Sequence, residues 1–141
     1  NSRVVVNILP WSDARTEARR IRETVFVAEQ GVPREIERDD WDERCEHALA
    51  YDANGRPVGT GRLLPDGHIG RMAVLRQSRG QGVGGRVLEA LIERARERGM
   101  RCVALNAQTH AAPFYARYGF IVAGETFMEA GIPHVAMERN L

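Results

Sequence analysis

The chain of 141 residues is 43% hydrophobic and 28% charged, the make-up of one soluble globular domain able to bury a core. Its net charge of +1 gives no electrostatic reason to expect nucleic acid or a membrane surface as a partner, and no run is apolar enough to span a bilayer. Two cysteines, Cys45 and Cys102, make no disulfide framework in a chain of this size.

Residues 4–9 read as a first strand closed by Pro10, and Ser12 or Asp13 as the cap of a helix carrying Ala14, Ala18, Ile21 and Val25 on one face. Residues 26–44 read as an acidic loop broken at Pro33, with room for one short helical turn. Strands over 47–51 and 58–64 form a hairpin around Asp52-Ala53-Asn54-Gly55, and Pro65-Asp66-Gly67 turns the chain into a fourth strand over 69–74. Val83, Val87, Leu88, Leu91, Ile92 and Ala95 recur at helical spacing, so a helix follows, ended by Gly99. A strand over 102–106 comes next, with Cys102 expected as a small core residue. A short helix over 112–118, a strand from 120 and a final strand over 134–138 complete the chain.

The sum is a single α/β domain over residues 1–141. Its sheet is expected to be mixed and mostly antiparallel, of about six or seven strands with flanking helices. The first half is antiparallel; the second contains a strand–helix–strand crossover.

Charge is unevenly placed. Between Glu29 and Glu46 eight acids are set against three arginines, a balance of −5; between Arg71 and Arg101 eight arginines are set against three glutamates, a balance of +5. A polyanion on the second segment and a cationic co-substrate near the first would account for both, and so would two solvated faces.

Within the basic segment, Gly80, Gly82, Gly84 and Gly85 fall between an apolar strand and a helix, ringed by Arg76, Arg79 and Arg86. Glycine lets the backbone turn tightly and bring N–H groups close to an anion, and the helix start adds unpaired N–H groups and a partial positive charge. The part is a phosphate cradle. Its spacing formally matches G-x-G-x-x-G, the dinucleotide fingerprint, but residues 74–79 separate strand from glycines, three or four strands precede it, and the next strand ends at Asn106 rather than at an acid. A nucleoside-triphosphate loop needs a lysine, and all 20 basic residues are arginine.

Residues 74–84 resemble the coenzyme A motif R-x-x-G-x-G/A of the GNAT superfamily of N-acetyltransferases, with Arg79, Gly82 and Gly84 in its defined positions. Phe114-Tyr115-Ala116-Arg117-Tyr118-Gly119-Phe120 resembles the family's F-Y-x-x-x-G-F element, and residues 25–33 and 131–137 resemble its ElaA-like branch. The likeness covers nearly the whole chain. It implies a GNAT fold, with strands four and five splayed around acetyl-CoA, and direct acetyl transfer to a primary amine of a small molecule or peptide.

The resemblance also implies roles. The pyrophosphate would rest on backbone N–H groups among Gly80, Gln81, Gly82, Val83, Gly84 and Gly85, with Arg76 and Arg79 near the phosphates. The pantetheine arm would pair with Met72, Ala73 and Val74, with an N–H of Ala73 or Val74 polarising the thioester carbonyl, and Asn106 nearby. Tyr115 would be the general acid to the departing thiolate, Glu29 and His110 candidates for the base, and His134 part of the acceptor pocket. From the residues alone, Tyr115 fits an amphipathic core tyrosine equally well, Glu29 a capping or paired carboxylate, and His110 a loop histidine. The four histidines show no metal-ligand spacing, so no metal is expected. A cytoplasmic location and a homodimer are further expectations. The alternative is a non-catalytic module that binds or senses acetyl-CoA.

Overall fold

The computed structural model describes residues 4–141. Strands β1 (Val5–Pro10), β2 (Glu46–Tyr51), β3 (Pro57–Leu63) and β4 (Ile69–Val74) form one antiparallel sheet in chain order. The β2–β3 turn closes on Asp52, whose carboxylate accepts the N–H groups of Asn54 (2.9 Å) and Arg56 (3.0 Å). The second sheet comprises β5 (Cys102–Gln108), β6 (Ile121–Val122), β7 (Phe127–Glu129) and β8 (Ile132–Asn140), with β5 on one side of β8 and β6 and β7 on the other. The described residues thus hold eight strands in two half-sheets, where one sheet of about six or seven was expected.

The halves meet between β4 and β5, which run parallel and touch at a single bridge, His68–Ala104, backed by Ala104 N–H donating to Gly67 C=O at 3.1 Å. Beyond that bridge the two strands diverge. The divergence starts at a bulge: Thr60 pairs with Ala73 but Arg62 pairs with Gly70, so β4 carries one extra residue opposite Gly61. Arg71 absorbs it in a left-handed conformation, φ +50°. Gly61 must be small here, because a Cβ would press on Met72 Sδ (2.8 Å) and Leu91 Cδ1 (2.9 Å).

Two helices cover the first sheet. Helix α1 (Trp11–Arg22) packs Ala14, Ala18 and Ile21 against Leu49 and Ala73. It starts straight after Pro10 with no side-chain cap, so neither Ser12 nor Asp13 plays the role expected of it. Alternate residues of β2, Ala48 and Ala50, face the other way, toward α3 (Val83–Glu97), the crossover between β4 and β5. The α3 face is the periodic one: Val83, Val87, Leu88, Leu91, Ile92 and Ala95 are all buried.

A π-helical stretch, Glu23–Glu29, extends α1, buries Val25 as expected and carries the helix into the segment read as a loop, where the short helical turn allowed for is α2 (Arg34–Glu37). Cys102 is exposed at the start of β5, contrary to its expected place in the core, while Cys45 is buried and its thiol is pushed up to about 11 by burial.

Candidate active site

After β4 the chain makes a tight turn at Arg76–Ser78 and enters α3 through Gly80 and Gly82. These two glycines have φ of +78° and +82°, and a Cβ on either would meet nothing within 4 Å. They serve the left-handed backbone itself and leave open the approach to the first turn of α3, where Gly82 offers no side-chain cap. The arrangement suits a phosphate group. Gly85 has a different reason to be glycine: a Cβ there would run into the Tyr118 hydroxyl.

Along β4, Leu75 N–H donates to Val58 C=O of β3 at 2.9 Å. Strand alternation therefore turns the N–H and C=O of Val74 to the opposite side, where β4 has no strand neighbour among the described residues beyond the His68–Ala104 bridge. Arg79 Nε donates to that C=O at 2.9 Å, which leaves the Val74 N–H directed at the gap.

A cavity of about 580 Å³ fills the gap, within the roughly 300–1,000 Å³ of small-molecule sites. Met72, Ala73, Val74, Arg79, Asn106, Tyr115, Glu29, His110 and His134, all singled out from the sequence, line it together. Gly80, Gln81, Gly82, Val83, Gly84 and Gly85 lie outside its wall, on the loop and helix start that follow Arg79.

Tyr115 comes from a short helix, α4 (Ala112–Ala116), and is half-buried edge-on to Phe114 and Phe120, with ring centroids 5.0 and 6.1 Å away. Burial pushes its phenol up to about 12, so the proton stays on the oxygen at neutral pH. His134, on β8, is buried; its Nδ1 donates to Ile132 C=O at 2.7 Å, and its ring stacks on Phe127. Its cross-strand partner Gln108 donates to Gln30 Oε1 at 3.0 Å. His110 lies exposed in the turn before α4.

The acidic and basic segments largely satisfy each other. Arg79 holds Glu29 through two bonds of 2.6 and 2.7 Å, with Arg76 at 3.5 Å. Arg94 and Arg98 share Glu46, each at 2.6 Å. Deeper in, buried Arg22 bonds Glu37 and both oxygens of Asp42, and buried Arg62 spans Asp42 (2.9 Å) and Asp39 (2.8 Å). Arg71 reaches Glu37 C=O (3.1 Å) and Asp39 (3.2 Å). The acids read as a docking surface for a cationic acceptor are thus already paired with arginines at five positions, Glu29, Glu37, Asp39, Asp42 and Glu46, of which Glu37 and Asp42 are buried.

The Arg79 hydrogen bond holds the Glu29 carboxyl below its ordinary value, which makes it a poor proton acceptor, and Arg79 itself points at Glu29 and Val74. The buried network escaped sequence reasoning, although it left a signal. Arg22 stands four residues after Ala18, on the stripe otherwise filled by Ala14, Ala18, Ile21 and Val25.

Residues 14–141 match the acetyltransferase (GNAT) domain family. YjcF of Bacillus subtilis strain 168, described as an uncharacterised N-acetyltransferase, is 44% identical over 124 residues, covering 85% of this chain and 88% of its own. The crystal structure of ElaA from Escherichia coli superposes with a TM-score of 0.85 at 30% identity, covering 96% of this chain and 99% of that one. An acyl-CoA N-acyltransferase from Pseudomonas aeruginosa does so at 0.83, also with 30% identity and the same coverage. The mixed α/β fold is therefore that of an acyltransferase superfamily. The chain belongs to the GNAT acetyltransferases.

Proposed function

We propose that the protein moves an acetyl group from acetyl-CoA directly to a primary amine of a small molecule or peptide. The observation that carries this reading is the pairing, in one cavity, of a strand-edge N–H at Val74 with a protonated phenol at Tyr115. The open first turn of α3 suits the pyrophosphate, and the unpaired edge of β4 suits an extended amide-bearing arm added like a strand. Between β-strand pairing and helix start, the bulge at Arg71 and the left-handed Gly80 and Gly82 supply the two bends that line these parts up.

In this reading the Val74 N–H donates to the thioester oxygen as charge builds there. The amine nitrogen attacks the carbonyl carbon; the C–N bond forms and the C–S bond breaks. Tyr115 gives its hydroxyl proton to the departing sulfur, which lies on the thiolate side of the cleaved bond, and general-acid help of this kind is worth about 10²–10⁴ in rate.

Release of free thiol from acetyl-CoA across a panel of primary amines tests the proposal, with wild type and Tyr115→Phe side by side. We expect amine-stimulated release in wild type, a loss of about 100-fold or more in kcat for Tyr115→Phe, and unchanged coenzyme affinity. Tight coenzyme binding with no amine-stimulated release would make the protein a binding module instead.

A further inference from the structure

The attack needs a neutral nitrogen, and a primary amine is mostly protonated near neutral pH. Something in the cavity must take that proton. Two of the carboxylates there are committed, Glu29 to Arg79, and Glu37 to Arg22 and Arg71. Glu129, His110 and His68 also line the cavity, but all three are exposed, and His68 is paired with Asp66.

We infer that His134 is the general base, accepting the amine proton at Nε2. A carbonyl oxygen only accepts, so the 2.7 Å contact to Ile132 C=O requires the hydrogen of neutral His134 to sit on Nδ1. The lone pair is then on Nε2, which has no hydrogen-bond partner among the described residues. The ring cannot easily turn away: it is buried, tied at Nδ1 and stacked on Phe127 with centroids 6.0 Å apart and planes 26° apart. A fixed tautomer, a free Nε2 and a rigid ring on the cavity wall are what a proton acceptor requires. The wall beside it includes the hydrogen-bonded amides of Gln108 and Gln30 and the Glu129 carboxylate of the neighbouring strand β7, whose charge favours an incoming cation; the arginines of the cavity, Arg62, Arg71 and Arg79, are each tied to carboxylates.

The protons balance. The ammonium loses one proton to His134 before attack, and His134 later releases it to solvent. Tyr115 gives its proton to the sulfur, and the second proton that nitrogen loses as the amide forms returns through water to the Tyr115 phenolate, so the reaction as a whole releases one proton. This assignment rests on the proposed acetyl transfer.

The test uses three acceptors of falling basicity (benzylamine, glycinamide and aminoacetonitrile) at neutral pH, with wild type, His134→Ala and His134→Gln. Rates are taken per coenzyme-binding site, so any unfolded fraction does not count. Both variants should lose about 100-fold in kcat with benzylamine, with KM little changed. With aminoacetonitrile, already neutral in solution, the loss should shrink to a few-fold. Added imidazole should restore part of the benzylamine rate in His134→Ala. Equal losses with all three amines, or no loss, would overturn the assignment while leaving acetyl transfer intact. If wild type acetylates none of the three, the acetyl-transfer reading and this assignment fall together.

Discussion

Gly85→Ala separates two reasons for a glycine at the head of α3. On helix propensity alone the substitution should stabilise by about 0.8–1 kcal/mol. Here the new methyl would collide with the Tyr118 hydroxyl and lie 3.0 Å from Tyr118 Cζ. The ring has little freedom to retreat, because it packs on Phe114 with centroids 5.2 Å apart. Overpacking of this kind costs about 1–3 kcal/mol, so the net is a loss of up to about 2 kcal/mol and a Tm lower by up to about 6 °C. Tyr118→Phe removes the colliding oxygen. In that background Gly85→Ala should cost little or nothing, giving a coupling of about 1 kcal/mol or more, where distant sites add to within about 0.5. Urea unfolding of the four proteins measures the cycle, and coenzyme binding is read on the same samples. Equal destabilisation in both backgrounds would refute the packing argument. Coenzyme affinity lost in both, with stability recovered in the double variant, would assign Gly85 to ligand approach.

Glu29→Gln frees Arg79 and Arg76 from an exposed ion pair worth up to about 1 kcal/mol. It should tighten coenzyme binding by up to about fivefold and leave kcat within a few-fold, whereas a hundredfold fall in kcat would restore Glu29 as the base. Arg22→Met strips the partner from buried Glu37 and Asp42 and should cost about 3–5 kcal/mol in urea unfolding; a loss under about 1 kcal/mol would mean that the network is only loosely coupled to the core. Stability should also fall in two stages as pH drops. Burial depresses His47, so the unfolded chain takes that proton first and stability declines below about pH 6.5. The second decline starts near the ordinary carboxylate range. The Arg62 hydrogen bond holds Asp39 down to about 2, and Asp42 is also lowered because Arg22 and Arg62 outweigh its burial, so both contribute until the pH falls through those depressed values. Urea midpoints between pH 8 and 3 check both stages, and a curve flat from pH 7 to 4 would contradict the His47 argument.

Much of the site was legible because its parts are local. Six apolar residues at helical spacing announce α3, and two glycines that must be left-handed announce the turn before it. The strand-edge N–H was legible only as Ala73 or Val74; the ladder bond at Leu75, which the sequence does not show, fixes the alternation in favour of Val74. What escaped is non-local. The short strand β7 pairs with β8 over three residues whose own pattern is too brief to read as a strand. Cys102 sits in a run of strand-forming residues, but the edge of β5 where it lies is exposed, and periodicity does not say which end of a strand is covered. His134 carried no signal beyond its position; its fixed tautomer comes from a carbonyl two residues away and a ring on another strand.

The charge segments show the limit most clearly. A balance of −5 followed by one of +5 invites two external ligands of opposite sign. The fold instead brings the segments face to face, so that Arg71 meets Glu37 and Asp39, Arg79 meets Glu29, and Arg94 and Arg98 meet Glu46. Arg22 and Arg62, from outside the basic segment, complete the buried part against Glu37, Asp39 and Asp42. Removing any one of the buried partners leaves an uncompensated charge in the interior, so their acids cannot be released to greet a substrate without unfolding cost. Net charge along the chain is thus no guide to the acceptor. Cavity groups outside these ion pairs are left to recognise it: the amides of Gln30, Asn106 and Gln108, the Glu129 carboxylate and the imidazoles of His110 and His134.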